Sequence, residues 1–171
     1  MVFILIGMPG SGKSCMGKAV SKKLGLRHLD ADRVIEQRTG RKLCDIIAED
    51  GIEAFKKLES ETLRSLKLNN VVLSTGGSAI YYPEAMEHLK SLGTVFYLYC
   101  SYEVLEERLG DLTKRGVVLK EGQTLKDLYD ERVPLYEKYA DITVDCSGTD
   151  YNKYRERLIS VMSYVKDFAE K

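Results

Sequence analysis

The sequence contains no tryptophan, three prolines and two histidines, and its four cysteines include no C-x-x-C pair. Cys15, Cys44, Cys100 and Cys146 are scattered, and His28 and His88 are too few to complete a metal cluster with them, so they read as reduced thiols of a cytosolic protein. Net charge is missing too. Lys plus Arg and Asp plus Glu number 26 each, which leaves no broad basic field to hold a nucleic-acid backbone. No apolar run approaches the roughly 18 residues that suggest a membrane span. The apolar start "VFILI" stops at Gly7 after five residues and has no basic segment before it, so neither a signal peptide nor an anchor is expected. A soluble, cytoplasmic, monomeric protein is the expectation. At 171 residues the chain fits one domain, able to bury roughly 70% of its unfolded surface.

What is present is alternation. Residues 2–6 (VFILI), 71–74 (VVLS), 94–99 (TVFYLY) and 141–144 (DITV) are short, β-rich and nearly continuous in hydrophobicity, as strands buried on both faces of a parallel sheet are. The weaker "RHLD" at 27–30 is a candidate fifth. Helical spacing covers 13–24, 52–68, 83–92, 102–109, 124–139 and 150–169. This order predicts right-handed βαβ units in a three-layer α/β fold. Residues 110–122, "GDLTKRGVVLKEG", break the rhythm and read as a mobile surface loop.

Residues 7–14 read "GMPGSGKS", directly after the first strand and opening the first helix. In a G-x-x-x-x-G-K-[ST] loop the glycines let backbone N–H groups turn inward around phosphate oxygens, and the helix N-terminus adds partial positive charge. Gly10, Ser11, Gly12, Lys13, Ser14 and the following Cys15 are therefore the expected nucleotide segment, with Lys13 on the outer phosphates and Ser14 on Mg²⁺. Cys15 is also expected to pack under its helix as a small hydrophobe. A GTPase would need N-K-x-D, which is absent, and the strand at 71–74 runs into "STGGSAI" where many ATPases carry a Walker-B aspartate. A small kinase is favoured over a motor.

A carboxylate pair, Asp30 and Asp32 in "LDADRVIE", stands at the end of the second strand. Two apart on an extended segment, both would face the crevice where parallel sheets bind ligands. One can take Mg²⁺ through water and the other can deprotonate an acceptor hydroxyl. The N-cap of the next helix is an equally open reading of Asp32. Gly76-Gly77 is open in the same way, as a simple turn or as backbone approaching a polyol.

Taken together, "GMPGSGKS", "DAD" at 30–32, "DGIEAFKKLE" at 50–59, "STGGS" at 74–78, "KRGVV" at 114–118 and "ERVPLYEKYAD" at 131–141 resemble the shikimate kinase family across essentially the whole chain. The resemblance implies a P-loop kinase fold with a five-stranded parallel sheet, a lid at about 110–122 and a small helical substrate region at about 32–60. It implies MgATP-dependent phosphorylation of the 3-hydroxyl of shikimate, a step towards aromatic amino acids. By resemblance, Ser14 and, through water, Asp30 hold Mg²⁺. Asp32 and the backbone of Gly76 and Gly77 take the shikimate hydroxyls, and Arg132 its carboxylate. Arg115 is the lid arginine and Arg108 lies near adenine.

Three features depart from the family pattern: Lys56 stands where an arginine is usual, Ser78 replaces a third glycine, and the lid reads R-G-V-V for R-P-L-L. Lysine holds a carboxylate as a point charge, without the two parallel hydrogen bonds of arginine. Lys56 is expected either to pair with Glu59 on the helix surface or to join Arg132 in a cationic acceptor pocket. A kinase of another polyol or hydroxy acid, and a nucleotide-binding module without transfer, are the alternatives.

Overall fold

The computed structural model of the protein describes residues 1–110, 119, 122–148 and 150–169. Arg115 and most of the expected lid lie outside these residues. Five strands, β1 (Val2–Ile6), β2 (Arg27–Asp30), β3 (Val71–Ser74), β4 (Thr94–Tyr99) and β5 (Ile142–Asp145), form one sheet in the order β2-β3-β1-β4-β5. Every neighbouring pair is parallel. β1 is central and all five of its residues are buried, which is why its sequence is apolar at every position rather than at alternate ones.

The described helices are α1 (Lys13–Leu24), α2 (Ala31–Thr39), α3 (Leu43–Asp50), α4 (Ile52–Arg64), α5 (Pro83–Leu92), α6 (Tyr102–Leu109), α7 (Leu125–Tyr139) and α8 (Tyr151–Ala169). α1 lies across β2 and β3 and packs on α8, while α5 and α7 lean on β4; helices thus flank the sheet in three layers. Among the described residues no helix is long and apolar enough to cross a membrane.

Most expected boundaries coincide with the elements, and the exceptions have local causes. β5 runs Ile142–Asp145, one residue later than expected, after Asp141, whose carboxylate accepts from Val95 N–H at 2.8 Å and from Lys90 Nζ at 2.7 Å. α4 stops at Arg64, short of residue 68, where Ser65 Oγ bonds back to Thr62 O at 2.8 Å. Helices α2 and α3 carry no long periodic pattern; Gly40, at φ 67°, divides them. Their Ile35 and Ile46, with Phe55 of α4, build a second core separate from the main one under the sheet.

This topology positions the site. The P-loop leaves β1, Asp30 ends β2, and Gly76-Gly77 follow β3, so all three emerge from the carboxyl ends of adjacent parallel strands, where α/β sheets bind ligands.

Candidate active site

The P-loop is built by backbone geometry. Gly12 sits at φ 93° as the residue before α1, a left-handed conformation that disfavours side chains. α1 then begins at Lys13, whose ammonium folds back to donate to Gly7 O at 2.8 Å and Met8 O at 2.9 Å. Burial pushes the Lys13 pKa down to about 8; the charges of Asp32 and Asp30 oppose this and Arg132 reinforces it. Ser11 Oγ is buried without a hydrogen-bond partner among the described residues. An orphaned hydroxyl inside a phosphate loop fits a site made for an oxyanion.

Asp30 does two things. Its Oδ2 accepts from Ser14 Oγ at 2.5 Å, and its Oδ1 accepts from the N–H of Asp32 at 3.1 Å. The cap of α2 is therefore Asp30, and Asp32 is released from the capping role open to it on sequence. Nor does Asp32 share an extended segment with Asp30: it lies in the first turn of α2. Its carboxyl is pushed above the usual range by burial and by the neighbouring Asp30 charge, with Lys13 pulling the other way. Lys13 and Asp32 are thus close enough for the charge of each to act on the other.

The glycine turn is wedged between two layers. A Cβ on Gly76 would stand 2.4 Å from Glu59 Oε1 and 3.4 Å from Asp32 Oδ1. One on Gly77 would meet Pro9 at 2.9 Å and Arg132 Nη1 at 3.0 Å. Tyr136 Oη donates to Gly77 O at 2.7 Å. Arg132 is buried, with its Nε donating to Tyr81 Oη at 3.2 Å and its guanidinium over the Tyr81 ring at 5.2 Å. Asp32, Gly76, Gly77 and Arg132 therefore meet around one point, close to Lys13.

Other expected residues make contacts of their own. Lys56 Nζ pairs with Glu53 at 2.6 Å in an exposed i,i+3 bridge, so it meets neither Glu59 nor Arg132 there. Cys15 is exposed, off the buried stripe of Met16, Gly17 and Val20, and its Sγ lies 3.0 Å from Tyr151 Oη; the expectation that it packs under α1 fails for that reason. Arg108 reaches Cys146 O and Gly148 O, each at 3.0 Å, and lies over the Tyr154 ring. It ties α6 to the segment after β5.

Two supports went unread in the sequence. Glu59 is buried, its carboxyl raised by burial and partly offset by bonds from Ser78 Oγ (2.6 Å) and Tyr82 Oη (2.9 Å), both to Oε2. It falls on the stripe of Phe55, Thr62 and Leu63, and a charge among apolar positions was the available signal. Ser74 Oγ donates to Lys13 O at 3.0 Å; its single proton is then committed, so His28 Nε2, 3.0 Å away, is the donor to Ser74. No local pattern in the sequence announces that link.

Comparison with known proteins gives the family. The family model described as shikimate kinase matches residues 9–163. A shikimate kinase of Thermodesulfovibrio yellowstonii is 36% identical over 159 residues, 91% of each chain, and one of Bacillus cytotoxicus is 36% identical over 156 residues, covering 91% of this chain and 94% of the relative. Among solved structures, a shikimate kinase from Acinetobacter baumannii in complex with shikimate superposes with a TM-score of 0.83 at 31% identity, covering 99% of this chain and 95% of that one. Another, from Aquifex aeolicus, gives 0.80 at 34% identity over 96% and 98%. Likeness of this extent, in sequence and in fold, means that the chain belongs to the shikimate kinase family.

Proposed function

We propose that the chain transfers the γ-phosphoryl group of ATP to the 3-hydroxyl of shikimate, giving shikimate 3-phosphate and ADP. The observation that carries the reading is the convergence of the P-loop, Asp32 and the glycine turn: Ser14 of the loop donates to Asp30 at 2.5 Å, Asp30 caps the helix whose first turn holds Asp32, and Asp32 Oδ1 lies 3.4 Å from where a Cβ on Gly76 would stand. Phosphoryl transfer asks for a positioned acceptor and for positive charge around the equatorial oxygens. Asp32 accepts the acceptor's hydroxyl proton, that oxygen attacks the γ-phosphorus in line, and ADP leaves. Lys13 holds positive charge against the transferring group.

The Ser14 hydroxyl and Asp30 carboxylate are hard oxygen donors of the class Mg²⁺ prefers, and they would hold the ion, Asp30 through water. When bound, Mg²⁺ neutralises charge on the β- and γ-phosphate oxygens. Gly76 and Gly77 supply backbone to the acceptor hydroxyls, and Arg132 meets its carboxylate with a planar fork. The helical region at about 32–60 serves the acceptor, and Arg115, which lies outside the described residues, is the arginine expected at the transferred phosphate. Shikimate as acceptor draws on the Acinetobacter baumannii relative, whose structure holds that molecule.

A coupled ADP-release assay with MgATP over shikimate, quinate, gluconate, other polyols and nucleoside monophosphates tests this. The highest kcat/KM is expected with shikimate. A higher value for another acidic polyol would keep the kinase and replace the acceptor. No turnover with any of them would leave a nucleotide-binding module.

A further inference from the structure

Glu59 is a buried carboxylate at the back of the acceptor crevice, and neither of its hydrogen-bond partners is a cation. Both are neutral hydroxyls, and both reach the same oxygen, Oε2. They come from the two ends of one short element: Ser78 precedes and Tyr82 follows the single 3-10 turn at Ala79–Tyr81. The two lysines on the same helix are turned elsewhere, Lys56 to Glu53 and Lys57 to Glu61. Arg132 and Asp32 act on Glu59 through charge, the first favouring its ionised form and the second opposing it.

This arrangement has a geometric result. With Oε2 held by two donors, Oε1 is pressed against Gly76, where a Cβ would come within 2.4 Å. The same point lies 3.4 Å from Asp32 Oδ1. From the opposite side Tyr136 Oη holds Gly77 O and Pro9 and Arg132 pack on Gly77. The glycine turn is therefore clamped between Glu59 and the α7 side chains, and its height relative to Asp32 depends on where the Glu59 carboxylate is fixed.

We propose that Ser78 and Tyr82 are positioning residues for the acceptor: their hydroxyls fix the Glu59 carboxylate behind Gly76, and this sets the glycine backbone against Asp32. The proposal rests on the reading of Asp32, Gly76, Gly77 and Arg132 as the acceptor site. Serine at 78 then has a use that a third glycine would lack, since glycine carries no hydroxyl to hold the carboxylate. Removing the donors leaves a buried carboxylate underbonded, so it must shift or take up a proton, and the turn moves with it.

The test is steady-state kinetics on the full chain with MgATP and shikimate for Ser78→Ala, Tyr82→Phe and the double variant. The double variant is expected to raise the KM for shikimate about 10-fold, with kcat lowered less than about 3-fold and the KM for ATP within about 2-fold. Tyr82→Phe keeps the ring and its packing, so it carries the test if the double variant does not fold. In a Glu59→Gln background, Ser78→Ala should add less than about 2-fold, because the partner of the hydroxyl is already altered. A lowered Tm with an unchanged shikimate KM, or fully additive effects with Glu59→Gln, would overturn the proposal. If the wild type phosphorylates another acceptor in preference to shikimate, the substrate reading falls and the KM for that acceptor judges Ser78 and Tyr82 instead. Absence of turnover with every acceptor overturns both.

Discussion

The two walls of the crevice differ in how much core lies behind them. The nucleotide wall, β1 with its P-loop and α1, belongs to the main cluster under the sheet, where Phe3, Ile4, Leu5, Ile6, Met16 and Val20 are fully buried. The acceptor wall, α2 to α4, has a satellite cluster of three buried residues, Ile35, Ile46 and Phe55. Ala31 and Leu63 join α2 and α4 to the main cluster, whereas α3 is tied to the segment before it by exposed ion pairs, Arg41 with Glu49 and Asp50, which contribute little in water. Regions with few buried contacts open at lower free energy than the core around them. The phosphate side is thus the fixed wall and the acceptor side the adjustable one.

The contrast breaks most sharply at Lys13. Lys13→Met should reduce turnover about 1,000-fold or more, in line with loss of a charged group at a phosphoryl-transfer site, while leaving the thermal midpoint at pH 7 no lower than wild type. Burial lowers this lysine from 10.5 to about 8. Between those values the unfolded chain binds more protons than the folded one, so the stability that Lys13 takes away below about pH 8 returns as pH rises towards 10.5. Thermal melts of wild type and variant across pH 7 to 10.5 should converge in that direction. A variant that fails to fold at pH 7 would make Lys13 part of the nucleotide wall's scaffold.

Asp32→Asn comes next. Turnover should fall roughly 100-fold or more, as for loss of a positioned base, with the KM for ATP little changed. Because burial and Asp30 raise the Asp32 carboxyl, the acid limb of the wild-type pH–rate profile should lie above the ordinary carboxylate range, and the variant should lose that limb. A near-wild-type rate would remove Asp32 from the chemistry, and the structure already gives its former alternative, the helix cap, to Asp30.

Ile46→Ala tests the satellite core itself. Truncating a fully buried isoleucine costs about 2–5 kcal/mol, and in a three-residue cluster that loss falls locally. Amide exchange in α3 and α4 should accelerate far more than in β1, and the acceptor KM should rise several-fold with the ATP KM unchanged. Equal acceleration in both walls would mean that they open as one unit. The smallest effect is expected from Lys56→Ala: an exposed i,i+3 pair is worth a few tenths of a kcal/mol, so the acceptor KM should change less than about 2-fold. A rise near 10-fold would show that Lys56 leaves Glu53 and turns into the crevice with Arg132 when the acceptor binds.

The same contrast governs what could be read from the sequence. β1, β3 and β4 were legible residue for residue because burial on both faces leaves a continuous apolar run, and the P-loop because its glycines and Lys13 stand at fixed spacing. α2 and α3 were not, since nine and eight residues on either side of Gly40 are too short for a helical period to emerge. At the site, Lys13, Asp32, Gly76, Gly77 and Arg132 could be named in advance and converge in the fold. Their supports, the hydroxyls on Glu59 and the chain from His28 through Ser74 to Lys13 O, join residues far apart in sequence. Long-range pairing of that kind leaves no local periodicity, apart from a charge misplaced on an apolar stripe.

The strand order has a consequence for the birth of the protein. β1 leaves the ribosome first, yet its partners are β3, in register from Val2 with Val71, and β4, from Phe3 with Thr94. At the usual pace of synthesis, about 5–20 residues per second, the five apolar residues ahead of the phosphate loop wait roughly 4–14 s before the first partner strand exists. During that interval "VFILI" is an unpaired, uncharged β-former, the type of segment that seeks another chain's edge. The strand that makes the nucleotide wall rigid in the finished molecule is therefore the one most in need of shelter while the molecule is being made.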